Sequence, residues 1–164
     1  MAANDLINSS DQLTPTNPRN EDTVLTRLIE NAYAAGAYGL TGMVLMLLAF
    51  AVIDALTPGN LRHQLWADRN RNAGILVGSN IFAVAIIVAA SIVASEGRLL
   101  EGLTYTVVYT FIGITVMTVT FFIIDLFTPG KLGEIVIEPT SHPAVWVHGI
   151  THIGIALIVS VSIL

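Results

Sequence analysis

The sequence has no cysteine and few charged residues. Of its 164 residues, 12% are charged and 54% are hydrophobic. Without cysteine, disulfides, iron–sulfur clusters and thiol chemistry are excluded. The seven Lys and Arg residues form no basic cluster, so we expect no nucleic-acid partner. Soluble domains carry about a quarter charged residues, and the low charge with a mean hydropathy of +0.72 indicates a protein of the lipid bilayer.

Charged residues are absent from four long stretches. These are Asn31 to Ile53, Asn72 to Ser95, Gly102 to Ile124, and Pro139 to Leu164. Each exceeds the about 20 residues that a helix needs to cross the hydrocarbon core. The sequence therefore predicts an all-α integral membrane protein with four transmembrane helices.

The start of the chain differs from the rest. Residues 1–19 are polar and lack the basic start and apolar core of a secretory signal, which predicts a disordered tail. In residues 20–33, Leu25, Leu28 and Ile29 recur at steps of three and four. This spacing predicts a short amphipathic helix that lies at the membrane surface and leads into the first span.

One phrase occurs twice, and each copy ends an apolar run. The pattern I-D-x-x-T-P-G-x-L occupies residues 53–61 and 124–132, at an offset of 71 positions. At this offset residues 34–93 align with residues 105–164 without a gap. Because two spans separate equivalent points, the halves have the same orientation, which predicts two parallel repeats of a two-helix hairpin. Proline ends a helix, so turns are predicted at Thr57, Pro58, Gly59, Thr128, Pro129 and Gly130.

Identical residues at equivalent positions of the two halves predict the packing faces. They recur along each span at helical spacing, and their glycines allow helix backbones to approach closely. The helix-packing positions are Tyr38, Gly42, Tyr109, Gly113, Gly78 and Gly149.

The two-span unit, with an acid followed by Thr-Pro-Gly at the end of its first span, resembles a known family. These are the small bacterial inner-membrane proteins of the YjfL type, a domain of unknown function (number 350). The resemblance runs from about Tyr33 to Leu164 and leaves out the polar tail. It implies a multi-pass bacterial membrane protein whose relatives are discussed beside envelope-stress and phage-shock-type components. It supplies no activity and no catalytic residues.

Asp54 and Asp125 end equivalent spans, where a carboxylate needs a local partner. One hypothesis is that each accepts backbone N–H groups of the adjoining turn or pairs with a loop cation. In the other, the repeat brings both acids together into a proton or cation site.

Three histidines form the remaining chemical candidate. His148 and His152 are one turn apart on the last span, and His142 precedes it. This spacing suits a divalent metal if an acidic side chain completes the ligand set, and it equally suits a polar helix contact or proton relay. A b-type haem needs axial ligands on opposite sides, so it would require a dimer. No cofactor is therefore predicted, with the divalent metal as the alternative.

The segments after the two Thr-Pro-Gly turns differ in their predicted structure. Leu61 to Trp66 is expected to lie flat, with Leu61, Leu65 and Trp66 toward lipid and Arg62 toward phosphate. Residues 133–138 are β-branched and predicted to be extended. Lys and Arg are more frequent in these two loops than on the opposite side, which favours an outside position for both termini in the bacterial plasma membrane.

The sequence carries few polar groups within its spans and no nucleophile triad or phosphate loop. We therefore expect a non-enzymatic scaffold or accessory subunit that contacts itself or other membrane subunits. The alternative is a small proton- or cation-coupled channel or transporter that uses Asp54 and Asp125.

Overall fold

The computed structural model describes residues 18–95, 98–127, 130, 132–138 and 140–164, so the predicted tail lies mostly outside the described residues. The described residues form helices and no strand. In chain order the helices are α1 Pro18–Leu56, α2 Leu61–Trp66, α3 Arg71–Ala94, α4 Leu99–Phe127, α5 Leu132–Ile137 and α6 Pro143–Ile163. Helices α1, α3, α4 and α6 are long and apolar enough to cross a membrane. The predicted all-α fold with four spans is confirmed.

The chain divides into two compact units, residues 1–36 and residues 37–164. The described part of the first unit is the beginning of α1, where Leu25, Leu28 and Ile29 are exposed. Helix α1 is continuous from Pro18 to Leu56, so no break separates the predicted surface helix from the span. The position of this segment at the membrane surface stays a prediction.

In the second unit, α3 is the most buried of the four long helices. Helix α3 packs most closely against α6 and also against α4. The central cluster of buried apolar side chains draws on all four long helices: Leu45, Ala49, Ala83, Val84, Ile87, Val88, Ile114, Met117 and Ala156. Close packing of this kind holds membrane helices together, because lipid tails are as apolar as the side chains and provide no hydrophobic driving force.

Three of the six predicted packing positions are glycines against α3. A Cβ added to Gly42, Gly113 or Gly149 would lie 3.3 Å, 2.5 Å or 2.8 Å from a side chain of α3. These distances are shorter than ordinary van der Waals contact. The missing side chains thus allow α1, α4 and α6 to approach α3.

The remaining predicted packing positions differ from one another. Gly78 is exposed and has no atom within 4 Å of an added Cβ, so its prediction is wrong; its neighbour Ser79 is the residue that meets Gly149. The Tyr38 hydroxyl lies 3.2 Å from Ser95 Oγ and joins α1 to the end of α3. Tyr109 stacks on a neighbouring tyrosine of its own helix, with ring centroids 6.1 Å apart.

Both Thr-Pro-Gly turns use glycine in the left-handed region. Gly59 has φ 89° and Gly130 has φ 87°. A side chain at such an angle costs about 1–2 kcal/mol, which explains glycine at both turns. Thr57 is buried at the first turn, whereas the equivalent Thr128 and its following proline lie outside the described residues.

The helix bounds follow the 71-residue offset. Helices α1 and α4 end at Leu56 and Phe127, and helices α2 and α5 begin at Leu61 and Leu132. Matching bounds are what a duplicated unit would give. Superposition of the two halves as parallel repeats stays a prediction.

The prediction of an extended segment at residues 133–138 is wrong, because Leu132–Ile137 is the helix α5. Its Ile135 and Val136 are buried in a second apolar cluster that includes Leu61 of α2 and Val145 of α6. Packing in this cluster overrides the weak preference of β-branched residues for strands.

Gly133 provides a test of the contact between α5 and the first turn. A Cβ at Gly133 would lie 2.5 Å from Cδ of Pro58, and the proline ring has little freedom to move. Alanine normally stabilises a helix by about 1 kcal/mol relative to glycine, whereas overpacking costs about 1–3 kcal/mol. We expect Gly133→Ala to lower the Tm of the purified protein in detergent, measured by circular dichroism.

Gly154→Ala is the matched control, since no atom lies within 4 Å of a Cβ there. It should leave Tm unchanged or raise it. If both variants gave the same shift, the Pro58 contact would contribute nothing to stability.

Candidate functional site

The start of α3 holds the connection between α5 and α6. Asn72 is buried, and its Nδ2 donates to the carbonyl oxygens of Ile135 and Glu138 at 3.2 Å and of Thr140 at 2.8 Å. Its Oδ1 accepts from the backbone N–H of His142 at 3.1 Å. One side-chain amide thus pairs with four backbone groups around a non-helical connection.

Asn70 adds a second amide to this contact. Its Oδ1 caps α3 by accepting from the backbone N–H of Asn72 at 2.9 Å, and its Nδ2 donates to the carbonyl oxygen of Val136 at 2.8 Å. The positions 71 residues further along are Ser141 and Pro143, so the second half lacks these amides. Side-chain amides of the first half therefore bind backbone groups of the second half, and the second half has no equivalent amides with which to bind the first.

Asp54 caps the short helix that follows it. Its Oδ1 accepts from the backbone N–H of Leu61, the first residue of α2, at 3.0 Å. Asn60 caps the same helix through the backbone N–H of His63, also at 3.0 Å. Negative charge at a helix N-terminus is favourable, so this geometry supports a turn-capping role for Asp54.

Asp125 lies beside a different cleft from Asp54. It lines a cleft of about 290 Å³ with Pro58 and Gly133, whereas Asp54 lines a cleft of about 590 Å³ with Arg62. Both acids are half-buried. A proton or cation site shared by the two carboxylates stays a prediction.

Helix α2 presents one apolar side inward. Leu61 is fully buried, so its predicted lipid contact is wrong: it packs into the cluster formed with α3 and α5. Trp66 is 74% exposed, as expected for an aromatic anchor at the membrane interface. Arg62 is exposed as well.

Two buried histidines lie between α6 and its neighbours. His152 Nδ1 is 2.5 Å from Asn80 Oδ1, and the Asn80 amide nitrogen donates to the Leu76 carbonyl oxygen. The oxygen of Asn80 therefore faces the ring, which assigns the hydrogen of His152 to Nδ1.

His148 packs against His152, with ring centroids 4.0 Å apart, and its ring meets the edge of Phe121 at 5.0 Å. Neither nitrogen of His148 has a hydrogen-bond partner among the described residues, nor has Nε2 of His152. Asn80, His152 and Met117 line a cavity of about 20 Å³, which is enough for a single water molecule. His148 and His152 together form a buried polar contact within the bundle.

His142 is turned toward its own helix. Its Nδ1 accepts from the backbone N–H of Ala144 at 3.1 Å and caps α6. Within the described parts of the chain, no three His, Asp or Glu side chains are grouped as metal ligands. A metal bound by His148 and His152 stays a prediction, and His142 serves a different purpose.

The four membrane-length helices and the polar contacts between them define a multi-pass membrane protein. The chain belongs to the family described as Domain of Unknown Function (DUF350), which it matches over residues 25–163. The resemblance drawn from the repeated two-span unit is confirmed.

Bacterial transmembrane proteins are among its relatives. A UPF0719 transmembrane protein of Mycolicibacterium paratuberculosis is 33% identical over 119 residues, which cover 73% of this chain and 79% of the relative. UPF0719 transmembrane proteins of Mycobacterium bovis and Mycobacterium tuberculosis are each 30% identical over 139 residues, covering 85% of this chain and 91% of the relative. No solved structure matches the chain. A membrane location is thus established, while the inner membrane and the outside termini stay predictions.

Replacing Asn72 tests the link between the halves. Asn72→Ala leaves several buried backbone groups without partners, and each costs about 1–3 kcal/mol, so we expect the free energy of unfolding to fall by roughly 2–4 kcal/mol. Unfolding by SDS titration from detergent micelles measures this change. Asn31→Ala, at an exposed position of α1, is the control and should have little effect. An Asn72→Asp variant as stable as the wild type would contradict the donor role of Nδ2.

Two substitutions of Asp54 test whether its carboxylate caps α2 or forms part of an ion site. Asp54→Asn retains an oxygen that accepts from Leu61, whereas Asp54→Ala removes it, and loss of such a cap costs about 1 kcal/mol. We expect Asp54→Ala to be destabilised by about that amount and Asp54→Asn to stay near the wild type, measured by the same SDS titration. Equal destabilisation of both variants would show that the charge, rather than the cap, is required.

Proposed function

We propose that this protein is a non-enzymatic scaffold or accessory subunit of a membrane complex. The observation that carries this proposal is the use of the buried amides. Asn70 and Asn72 donate hydrogen bonds to backbone carbonyl oxygens of α5 and of its connection to α6, and Asn80 joins α3 to α6. These groups hold helices in place.

The small cavity inside the bundle also supports this proposal. The space beside Asn80 and His152 has a volume of about 20 Å³. This volume has room for one water molecule, whereas a continuous aqueous pathway needs a much larger space. A conducting role would need a wider passage than this cavity between the described helices.

The surface between α1 and α4 supplies a face for another membrane subunit. A groove of about 420 Å³ lies there, lined by Leu40, Thr41, Val44, Leu45, Leu48, Val107 and Phe111. Helix α1 contributes a narrow buried stripe that includes Leu45, Ala49 and Ile53, whereas Leu40, Val44 and Leu47 are exposed. An apolar transmembrane helix of a partner subunit fits such a groove by side-chain packing.

A bulky residue in the groove tests the proposal. Val44→Trp fills it from α1, whereas Ala55→Trp adds the same side chain to an exposed position of α1 outside the groove. We expect a membrane protein that copurifies in stoichiometric amount with the wild type in mild detergent to be lost with Val44→Trp and retained with Ala55→Trp. Quantitative mass spectrometry of the purified complexes measures this difference.

Transport is the competing outcome. Wild-type protein in proteoliposomes should conduct neither protons nor monovalent cations, and the double variant Asp54→Asn, Asp125→Asn should behave identically. Ion flux in the wild type that disappears in the double variant, with the fold intact, would favour the channel or transporter instead.

A further inference from the structure

The cleft beside Asp54 has one polar and one apolar end. Its volume is about 590 Å³, and it lies among α1, α2 and α3. Asp54, Arg62 and Trp66 line its polar end, where α1 stops and α2 begins. Apolar side chains form its remaining wall: Met43, Met46, Leu47, Phe50, Ala51 and Ile81. This distribution matches a molecule with a polar head and an apolar tail.

The length of the apolar wall matches one leaflet of a bilayer. Along α1 the wall runs from Met43 to Asp54, which at 1.5 Å per residue is about 16 Å. Half of a hydrocarbon core of about 30 Å is about 15 Å. Asp54 lies in the last turn of a span, and Trp66 is an exposed aromatic of the kind found at the interface. An acyl chain entering between these residues would lie along the wall to mid-membrane.

The polar end presents both signs of charge. Arg62 makes no hydrogen bond or ion pair with the described side chains, including Asp54. The Asp54 oxygen Oδ1 is occupied by Leu61, whereas Oδ2 has no partner in the described part of the chain. A guanidinium suits a phosphate, and a carboxylate oxygen suits an ammonium group that can donate a hydrogen bond.

We propose that this cleft binds a zwitterionic phospholipid with a primary amine, of the phosphatidylethanolamine class. Arg62 contacts its phosphate, the free oxygen of Asp54 accepts from its ammonium group, and one acyl chain lies against Phe50 and Ala51. Phosphatidylcholine has no N–H to donate, and phosphatidylglycerol brings no cation to Asp54. The site therefore discriminates by headgroup, which distinguishes it from a general lipid-facing surface.

Native mass spectrometry of the purified protein tests this inference. The wild type is titrated with phosphatidylethanolamine, phosphatidylcholine and phosphatidylglycerol that carry the same acyl chains. We expect phosphatidylethanolamine to bind about tenfold more tightly than phosphatidylcholine, as one additional charge-assisted hydrogen bond provides. Asp54→Asn should remove most of this preference, and Arg62→Gln should weaken the binding of all three lipids.

Two matched controls separate the cleft from the rest of the surface. Arg71→Gln removes an exposed arginine outside the cleft and should bind lipid as the wild type does. Ala51→Trp obstructs the apolar wall and should abolish binding, whereas Ala55→Trp should not. Asp54→Asn retains the cap on α2, and circular dichroism verifies that each variant is folded.

Equal affinity for phosphatidylethanolamine and phosphatidylcholine would overturn the headgroup assignment. Equal effects of Arg62→Gln and Arg71→Gln, or of the two tryptophan variants, would overturn the location. None of these outcomes bears on the groove between α1 and α4, whose test uses a different surface.

Discussion

Backbone groups that leave a helix near a membrane need partners from the protein itself, because lipid offers none. Helix α5 has six residues, and the last four carbonyl groups of a helix have no N–H partners within the helix itself. The amides of Asn70 and Asn72 bind the carbonyl oxygens of Val136 and Ile135 there and continue to the connection before α6. These hydrogen bonds join the start of α3 to the same segment whose Ile135 and Val136 are buried against it.

The two Thr-Pro-Gly turns place the short helices where this contact can form. Gly59 takes the left-handed conformation that redirects the chain after α1, and Asp54 then caps α2. Pro58 of the first turn lies against Gly133 of α5, which allows the second half to approach the first. Pro58 therefore has two roles. It ends the first span, and it forms part of the surface against which the second half packs.

Apolar runs and the repeated phrase predict the four spans and the ends of α1 and α4, because proline and left-handed glycine act locally. The inward face of α1 is harder to predict. Met46 and Phe50, which recur as Met117 and Phe121 at the 71-residue offset, are half-buried. Leu45, Ala49 and Ile53, which do not form this repeated stripe, are buried. Which stripe faces inward depends on the neighbouring helix, and the contact of Asn72 joins residues more than 60 positions apart. The sequence feature that indicates this contact is the pair of asparagines, Asn70 and Asn72, at the start of an apolar span.

The two halves have matching helix bounds and differ in their polar contacts. Asn80 pairs with His152, and the positions at the 71-residue offset are Thr151 and Ile81, so the offset pair lacks a second polar partner. This contact joins α3 to α6 and gives each of the two buried side chains a hydrogen-bond partner, which offsets part of their desolvation cost. Ile81, the position equivalent to His152, instead lies on the wall of the cleft beside Asp54. Two equivalent positions thus differ in what they contact: His152 packs inside the bundle, whereas Ile81 lines a cleft on its surface.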